Sequence, residues 1–294
     1  MQEVKVSGFT FVRNAIKFGY PIREAILSVL PLCDEFIVML GNSEDDTRKV
    51  IESIADPRIR IFDSTWDETL REGGKVLAVE TDKAMDKISP DSHWAFYIQA
   101  DEILHEHGFE AVRDAMRKYR DDNRIDGLLF NYRHFYGSYD YIGDSRKWYR
   151  KEIRVVKNDK LIRSYRDAQG FRKAGKKLHV KEVYAFIHHY GWVRPPKTMQ
   201  AKQETFHKLW HSDEWVKKNV AVSETFDYSK VDSLSLFRGT HPAVMQDWIS
   251  KMNWKFEYDS AKARRSAVAA VLHSLETLTG WRLGEYKNYK IIVG

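Results

Sequence analysis

The first hundred residues alternate between short apolar runs and amphipathic segments, and this alternation constrains the fold more than any other feature of the chain. Four runs have the apolar and β-branched content of strands, and they lie at residues 4–12, 36–40, 58–62 and 94–99. The segments between them carry apolar residues at helical spacing. The resulting βαβαβαβ order predicts an α/β fold with a mostly parallel central sheet flanked by helices, and it predicts ligands at the carboxyl ends of the strands.

Beyond residue 105 the pattern changes, and the change sets the expected domain organisation. One amphipathic helix is followed by aromatic-rich, strand-like stretches to about residue 190, and helical patterns dominate from residue 200, including one over 259–278. No Gly/Ser/Pro-rich linker separates these parts of the 294-residue chain. We therefore expect a catalytic domain over residues 1–198 and a helical C-terminal extension over residues 199–294 packed on it.

The basic residues of the chain are concentrated in one segment. The whole sequence has a net charge of +6, but residues 146–181 hold fourteen Lys or Arg against three Asp or Glu, which leaves the other 258 residues with a net charge of −5. The segment matches no nucleic-acid-binding module, so we expect no nucleic-acid partner. A phosphate-bearing substrate or lipid is the favoured partner, and a solvated surface without a partner is the alternative.

Several functional classes are disfavoured by what the sequence lacks. The longest stretch without charge, residues 183–193, is too short to cross a bilayer, which takes about 20 residues. No signal-peptide pattern is found, so we expect a cytoplasmic protein, with peripheral association at the inner face of a membrane left open. Cys33 is the single cysteine, and it allows neither an internal disulfide nor a cysteine zinc site.

The fourth predicted strand ends in Gln99-Ala100-Asp101-Glu102, which is the sharpest candidate site in the sequence. Two adjacent carboxylates there follow an apolar run at the expected ligand edge of the sheet. Oxygen ligands of this kind suit Mg²⁺ or Mn²⁺ bound together with the phosphates of a substrate. The alternative is an acidic turn in which Glu102 caps the following helix.

Four motifs follow one another at a characteristic spacing. They are a first strand, a GNSEDDT loop at residues 41–47, a Gly-Gly-Lys helix start at residues 73–75 and a YIQADE strand end at residues 97–102. Together they resemble a family 2 glycosyltransferase with the GT-A fold over about residues 4–195, and they are similar to bacterial enzymes of lipopolysaccharide-core and cell-surface glycan synthesis. The resemblance implies a GT-A domain that moves a sugar from a nucleotide-diphosphate donor, a UDP- or GDP-sugar, to a cell-surface glycan or lipid-linked acceptor.

The resemblance also implies a divalent metal, Mn²⁺ or Mg²⁺. In that family the fourth strand ends in a DXD motif whose last aspartate binds the metal, and Asp101 matches this position. Gln99 stands where the first acid of the motif is found, and its amide can still hydrogen-bond a ribose. His189, rather than His188, matches a histidine that completes the metal shell in related enzymes.

The GNSEDDT loop resembles the DGS-x-D-D-T signature that lines the base and ribose pocket in the family. Gly41 replaces the usual first acid, and a helix N-terminus capped by Ser43 or Asp45 is the alternative interpretation. Lys75 follows two glycines that permit close approach of a diphosphate, and an exposed lysine without a ligand is the alternative. The residues implied as donor contacts are Arg13, Asn14, Asn42, Asp45, Lys75, Gln99 and Asp101.

An inverting transfer needs a general base that accepts the proton of the acceptor hydroxyl. The basic segment contains three acids, Glu152, Asp159 and Asp167, and Asp159 lies in a predicted hairpin turn. Asp167 resembles in its placement an acid of the lipopolysaccharide-core enzymes. We therefore expect Asp167 to be the catalytic base, with Glu152 as the second candidate, and an ion pair of Asp167 with a neighbouring arginine is the alternative.

Two other functions are alternatives on the sequence alone. A sugar nucleotidyltransferase on a similar sheet would need a Gly-rich loop with Lys or Arg after the first strand, which residues 11–21 do not provide. A non-catalytic protein that binds an anionic glycan or nucleic acid would use the basic segment alone. No Walker loop, Rossmann fingerprint or serine nucleophile elbow supports another class.

Overall fold

The computed structural model describes residues 4–70, 72–219, 223–259, 271–272, 276, 278–279, 282 and 284–292. Its first hundred residues alternate strands and helices, as the sequence predicts. The elements are β1 (Val6–Val12), α1 (Ile22–Val29), β2 (Glu35–Gly41), α2 (Thr47–Glu52), β3 (Ile59–Ser64), α3 (Lys75–Met85), β4 (Trp94–Tyr97) and β5 (Glu102–Leu104). The strands β4, β1, β2 and β3 lie side by side in that order, and each neighbouring pair is parallel.

The following part of the chain extends the sheet with strands of both directions. Its elements are α4 (Phe109–Lys118), β6 (Gly127–Tyr136), β7 (Tyr141–Gly143), β8 (Lys151–Lys157), β9 (Ile162–Tyr165), β10 (Gly170–Lys173), β11 (Lys176–Lys177), β12 (His179–Trp192), α5 (Pro196–Lys208), α6 (Asp213–Asn219), β13 (Leu234–Leu236), α7 (Gln246–Ser250) and β14 (Lys290–Ile291). β8 is antiparallel to both β4 and β6, and β12 is parallel to β6 and antiparallel to β5. β9, β10 and β11 form a small separate sheet.

Both faces of the central sheet are buried. Alternate residues of β2 show this directly, since Phe36 and Val38 pack into one apolar core, whereas Ile37 and Met39 pack into the other. Residues of α1 and α4 belong to the first core, and residues of α3 belong to the second. Strands covered on both faces form continuous apolar runs, which is why the sequence pattern located them. The predicted α/β class is confirmed, with parallel neighbours β4, β1, β2 and β3 at the centre of the sheet and helices on both of its faces.

The C-terminal region departs in part from its prediction. The described part of residues 199–294 contains helices, but it also contributes strands, because β13 pairs with β7 and β14 pairs with β12. The expectation of a helical extension is therefore incomplete, since these short strands cover sheet edges. The helix predicted over 259–278 lies mostly outside the described residues, and the boundary at residue 198 stays a prediction. None of the described helices is long and apolar enough to cross a membrane.

The sheet topology brings the two predicted metal ligands together. β1 and β4 are parallel neighbours, so the residues that follow them lie at the same edge of the sheet. β12 runs antiparallel to β5, with His189 opposite Glu102. This register places His189 next to Asp101, although a long stretch of sequence separates them.

Candidate functional site

A cavity of about 740 Å³ opens at the carboxyl ends of β1 and β4. Its wall combines the ends of these strands, the loops that follow β2 and β3, the turn that carries Asp167 and one side of α5. A cavity of this volume can hold a small organic ligand. It lies where the topology of an open α/β sheet places ligands.

The structure brings together most of the residues predicted from the sequence, but not all of them. Those that line the cavity are Arg13, Asn14, Gln99, Asp101, Asp167 and His189. Those that are described but do not line it are Asn42, Asp45, Lys75 and Glu152. The positions of these residues do not test their predicted roles. They show which of the side chains a ligand in the cavity can contact.

Asp101 lies after β4, nearly buried, with three nitrogen-bearing side chains around its carboxylate. His189 Nε2 is 3.7 Å from Oδ1, while Lys202 Nζ and Arg194 Nη2 are 3.3 and 3.5 Å from Oδ2. Burial alone would raise the pKa of Asp101, but the nearby positive charges, Lys202 foremost, outweigh burial and hold this pKa well below its usual range. Asp101 is therefore ionised at neutral pH.

His189 lies near the end of β12, and a second histidine lies behind it. His134 on β6 is the register partner of His189, and the Nδ1 atoms of the two rings are 3.0 Å apart. His134 Nε2 is 2.8 Å from the carbonyl oxygen of Tyr149. Burial lowers the pKa of His189 to about 4 and that of His134 to about 3, so both rings are neutral at neutral pH. Sequence reasoning missed His134, and its parallel pairing with the strand of His189 is the signal that would have found it.

Asp101 Oδ1 and His189 Nε2 are the atoms that a divalent metal would use at this site. Both side chains line the cavity, and no group of three or more His, Cys, Asp or Glu side chains is gathered for a metal among the described residues. One or two protein ligands are usual where Mg²⁺ is held jointly with substrate phosphates. The residues present therefore fit a metal that is bound together with a diphosphate, and they do not form a complete site for the metal alone.

Two cationic side chains at Asp101 are absent from the sequence prediction. Lys202 on α5 lines the cavity, and its Nζ also donates to the carbonyl oxygen of Gly191 at 3.0 Å. Burial lowers the pKa of Lys202 to about 7; the charge of Arg194 acts in the same direction, and Asp101 opposes it. Arg194 is only 1% exposed and donates to the carbonyl oxygens of Phe18 and Gly191. The sequence carries no signal for Lys202, because only the packing of α5 across the cavity distinguishes it from other helical lysines.

Glu102, the second acid of the strand end, belongs to the core. Its side chain is fully buried, and Nε and Nη2 of Arg154 each donate to one of its oxygens at 2.7 Å. The Tyr132 hydroxyl donates a further hydrogen bond of 2.9 Å. Both carboxylate oxygens are thus satisfied within the protein, so Glu102 supplies neither the metal ligand nor the helix cap considered from the sequence.

Side-chain contacts tie the loop after β2 to the loop after β1. Asn14, at a φ of 56° in the left-handed region, accepts a hydrogen bond from the backbone N–H of Glu44 at 2.7 Å. Asp45 accepts from the backbone N–H groups of Lys17 and Thr47 at 2.8 and 3.1 Å. Asp45 therefore stabilises the loop before α2, whereas Asp46, rather than Ser43 or Asp45, stands at the N-cap of this helix, and Asp45 does not line the cavity.

An aromatic side chain occupies the space beside Gly41, the position at which the motif that the sequence resembles has an acid. A Cβ atom at residue 41 would lie 2.4 Å from Nε1 of Trp66, which lines the cavity. Arg13 lies over the Trp66 ring at 5.6 Å and pairs with Glu68 at 3.1 Å. Within the described residues, the Trp66 indole N–H is buried without a hydrogen-bond partner. Glycine at this position thus makes room for an aromatic wall of the cavity.

The two glycines before α3 allow a close approach to Asp167. Gly74 has a φ of 70°, and a Cβ atom there would lie 2.9 Å from Cβ of Asp167. Burial raises the pKa of Asp167 above its usual value. Lys75 is exposed at the start of α3 and does not line the cavity, so its contact with a diphosphate stays a prediction. Glu152, the second candidate base, is buried on β8, where burial raises its pKa to about 7.

The basic segment 146–181 does not form one open basic face. Its side chains pair with acids from elsewhere in the chain, as in Arg150 with Glu285, Arg154 with Glu102, Arg163 with Asp86 and Lys173 with Asp126. The positive charge that is concentrated along the sequence is therefore partly offset by contacts between distant residues.

Comparisons with known proteins give structural neighbours and no family. No family model and no curated protein matches the chain. It is similar to the 4-diphosphocytidyl-2C-methyl-D-erythritol synthase of Anaerococcus prevotii, at 14% identity over 65% of this chain and 90% of that chain, with a TM-score of 0.39. It is also similar to S. aureus TarS 1–349 in complex with UDP, at 13% identity over 75% and 68% of the two chains, with a TM-score of 0.39.

A third neighbour is the glucosyl-3-phosphoglycerate synthase of Mycobacterium tuberculosis in complex with Mg²⁺ and UDP. It shares 19% identity over 45% of this chain and 44% of that chain, with a TM-score of 0.29. Likeness at this level assigns neither a family nor an activity to the chain.

Proposed function

We propose that the protein is an inverting glycosyltransferase that moves a sugar from a UDP- or GDP-sugar to a cell-surface glycan or lipid-linked acceptor. The observation that carries this proposal is the meeting of Asp101, His189 and Lys202 at one point of the cavity wall. An ionised carboxylate, a neutral imidazole and an ammonium group at the carboxyl end of a strand suit a divalent metal and a diphosphate bound together. The motif resemblance of residues 4–195 supports the same function.

The charges around Asp101 favour a polyanionic ligand. The Asp101 carboxylate faces the Arg194 guanidinium on the buried side and Lys202 on the cavity side, and Lys202, with a pKa of about 7, is partly protonated at neutral pH. Lys202 uses two of its three N–H groups on Asp101 and Gly191, which leaves one for a ligand. A bound diphosphate would favour the protonated form of Lys202 further. We therefore assign the diphosphate contact to Lys202 instead of Lys75.

Asp101 and His189 would hold the predicted metal, Mn²⁺ or Mg²⁺, together with the diphosphate. The metal would supply stabilisation of the negative charge that develops on the leaving diphosphate. An imidazole among oxygen ligands modestly favours Mn²⁺. Arg13, Asn14 and Trp66 line the part of the cavity next to the loops after β1, β2 and β3, and we assign the nucleoside to this part.

Asp167 is the residue that we expect to deprotonate the acceptor hydroxyl. It lines the same cavity, and burial raises the pKa of its carboxyl, which makes it a better base than an exposed aspartate. Asp101 is unsuited to this role, because its cationic neighbours hold its pKa low. Glu152 does not line the cavity, so we rank it below Asp167.

The proposal is tested with a panel of UDP- and GDP-sugars in the presence of Mn²⁺, with release of nucleoside diphosphate as the signal. We expect slow hydrolysis of at least one donor, and Asp101→Ala should lower this rate by about 100-fold or more. Asp91→Ala is the matched control, because it removes a surface pair with Lys5. Full turnover by Asp101→Ala would contradict the site, and release of pyrophosphate from a nucleoside triphosphate and a sugar phosphate would indicate a nucleotidyltransferase.

A further inference from the structure

Two histidines on parallel strands meet behind the Asp101 carboxylate. His134 is 3% exposed, and its ring packs between those of Tyr132 and Trp148, at centroid distances of 5.5 and 5.2 Å. Its Nε2 lies 2.8 Å from the carbonyl oxygen of Tyr149, and its Nδ1 lies 3.0 Å from Nδ1 of His189. These contacts hold both nitrogens of the ring in fixed positions.

The contacts allow one assignment of the protons. A carbonyl oxygen only accepts hydrogen bonds, so His134 donates its Nε2–H to Tyr149. A neutral imidazole has a single N–H, and therefore Nδ1 of His134 is an acceptor. His189 must then donate its Nδ1–H to this atom, which leaves Nε2 of His189 with a lone pair on the side of Asp101.

The opposite tautomer of His189 does not fit the geometry. It would place two Nδ1 lone pairs against each other at 3.0 Å. Its Nε2 atom would then carry the proton, but Nε2 lies 3.7 Å from Asp101 Oδ1, which is too far for a hydrogen bond. With the assigned tautomer, Nε2 and Oδ1 are two acceptors that face each other, and a cation between them would satisfy both.

We propose that His134 is a positioning residue, which fixes the Nδ1–H tautomer of His189 so that Nε2 presents its lone pair to a divalent cation beside Asp101. The cation rests on the proposed function, whereas the tautomer does not. His134 is not among the residues that line the cavity, so it acts through His189. Partners that orient a metal-binding histidine in this way commonly change metal affinity by about 10- to 100-fold.

The tautomer is measured by ¹⁵N NMR of the histidine side chains in the metal-free protein, with His189 assigned from the signal lost in His189→Gln. We expect a protonated Nδ1 and an unprotonated Nε2 in His189. A protonated Nε2 in the wild-type protein would overturn the inference, whether or not the protein transfers a sugar.

The affinity for Mn²⁺ in the presence of UDP, measured by isothermal titration, gives the second test. His134→Phe keeps an aromatic ring but removes the acceptor, so Mn²⁺ should bind about 10- to 100-fold more weakly. His134→Asn, whose amide oxygen can replace Nδ1 as the acceptor, should retain most of the affinity. Equal affinity of wild type and His134→Phe at unchanged melting temperature would overturn the positioning role.

The failure of the proposed function has a different signature. A wild-type protein that binds neither UDP nor Mn²⁺ would remove both the proposed function and the cation from this inference. The NMR measurement would still decide the tautomer of His189 in that case.

Discussion

Two neighbouring acids, Asp101 after β4 and Glu102 at the start of β5, lie in different environments. Glu102 faces the core, where its side chain is 0% exposed and Arg154 binds both of its oxygens. Asp101 faces the cavity, where Arg194 and Lys202 share one oxygen and the other faces the neutral His189. The core group contains one charge of each sign, whereas the cavity group gains a surplus positive charge when Lys202, whose pKa burial lowers to about 7, is protonated.

Under the proposed function, this difference separates Glu102, which stabilises the fold, from Asp101, which would bind a ligand. The buried pair of Glu102 and Arg154 is complete within the protein, because each charge has its partner and further hydrogen bonds, from Tyr132 to Glu102 and from Arg154 to the carbonyl oxygen of Gln169, satisfy the remaining polar atoms. The group around Asp101 is incomplete without a ligand, because surplus positive charge and two facing acceptors lie at a cavity wall. A metal and a diphosphate bound together would complete it.

The largest expected effect is a loss of stability on removal of Glu102 from its buried pair with Arg154. Glu102→Ala leaves Arg154 buried without its partner, so the free energy of unfolding should fall by about 3–5 kcal/mol, measured by urea denaturation. Asp101→Asn should lower it by no more than about 2 kcal/mol, because Arg194 keeps its bonds to the carbonyl oxygens of Phe18 and Gly191. Similar losses in both variants would contradict the distinction between the two acids.

The next largest effect is expected on the rate of sugar transfer, and it contrasts Asp167 at the cavity with Glu152, a buried acid on β8. Asp167→Asn should lower sugar transfer by about 100- to 1000-fold through loss of the base, with UDP affinity unchanged. Glu152→Gln, which alters a buried acid that does not line the cavity, should leave the rate constant within about threefold. Steady-state kinetics of both variants test this assignment. A large loss of rate in Glu152→Gln together with a small loss in Asp167→Asn would assign the base to Glu152.

The smallest expected effect is on the affinity for UDP, and it concerns Lys202. Lys202→Ala should weaken UDP binding by about tenfold or more, since a hydrogen bond to a charged group is lost. Lys197→Ala, on the same helix but not at the cavity, is the control for α5. Equal UDP affinities of the two variants in isothermal titration would show that Lys202 does not contact the diphosphate.

The sequence predicts those parts of the molecule that depend on local patterns. The strands around Phe36 and Trp94 are continuous apolar runs, and both lie where expected. Asp101 and His189 were found by resemblance to a motif at strand ends, and sheet register brings them together. The fold class and the place of the cavity follow from such patterns.

The remaining parts depend on contacts between distant segments. Lys202, Arg194 and His134 have ordinary local sequences, and only the packing of α5 and the pairing of β6 with β12 bring them to the site. The role of Glu102 is decided by Arg154, which lies on another strand. Several acids that pair with the basic residues of 146–181 likewise lie in distant parts of the sequence.

A crystal structure of the protein with UDP and Mn²⁺ tests the central claim most directly. The account predicts Mn²⁺ between Asp101 Oδ1 and His189 Nε2, with the diphosphate bound to it and within hydrogen-bond distance of Lys202 Nζ. UDP bound elsewhere, or bound in this cavity without contact to Asp101, His189 or Lys202, would contradict it.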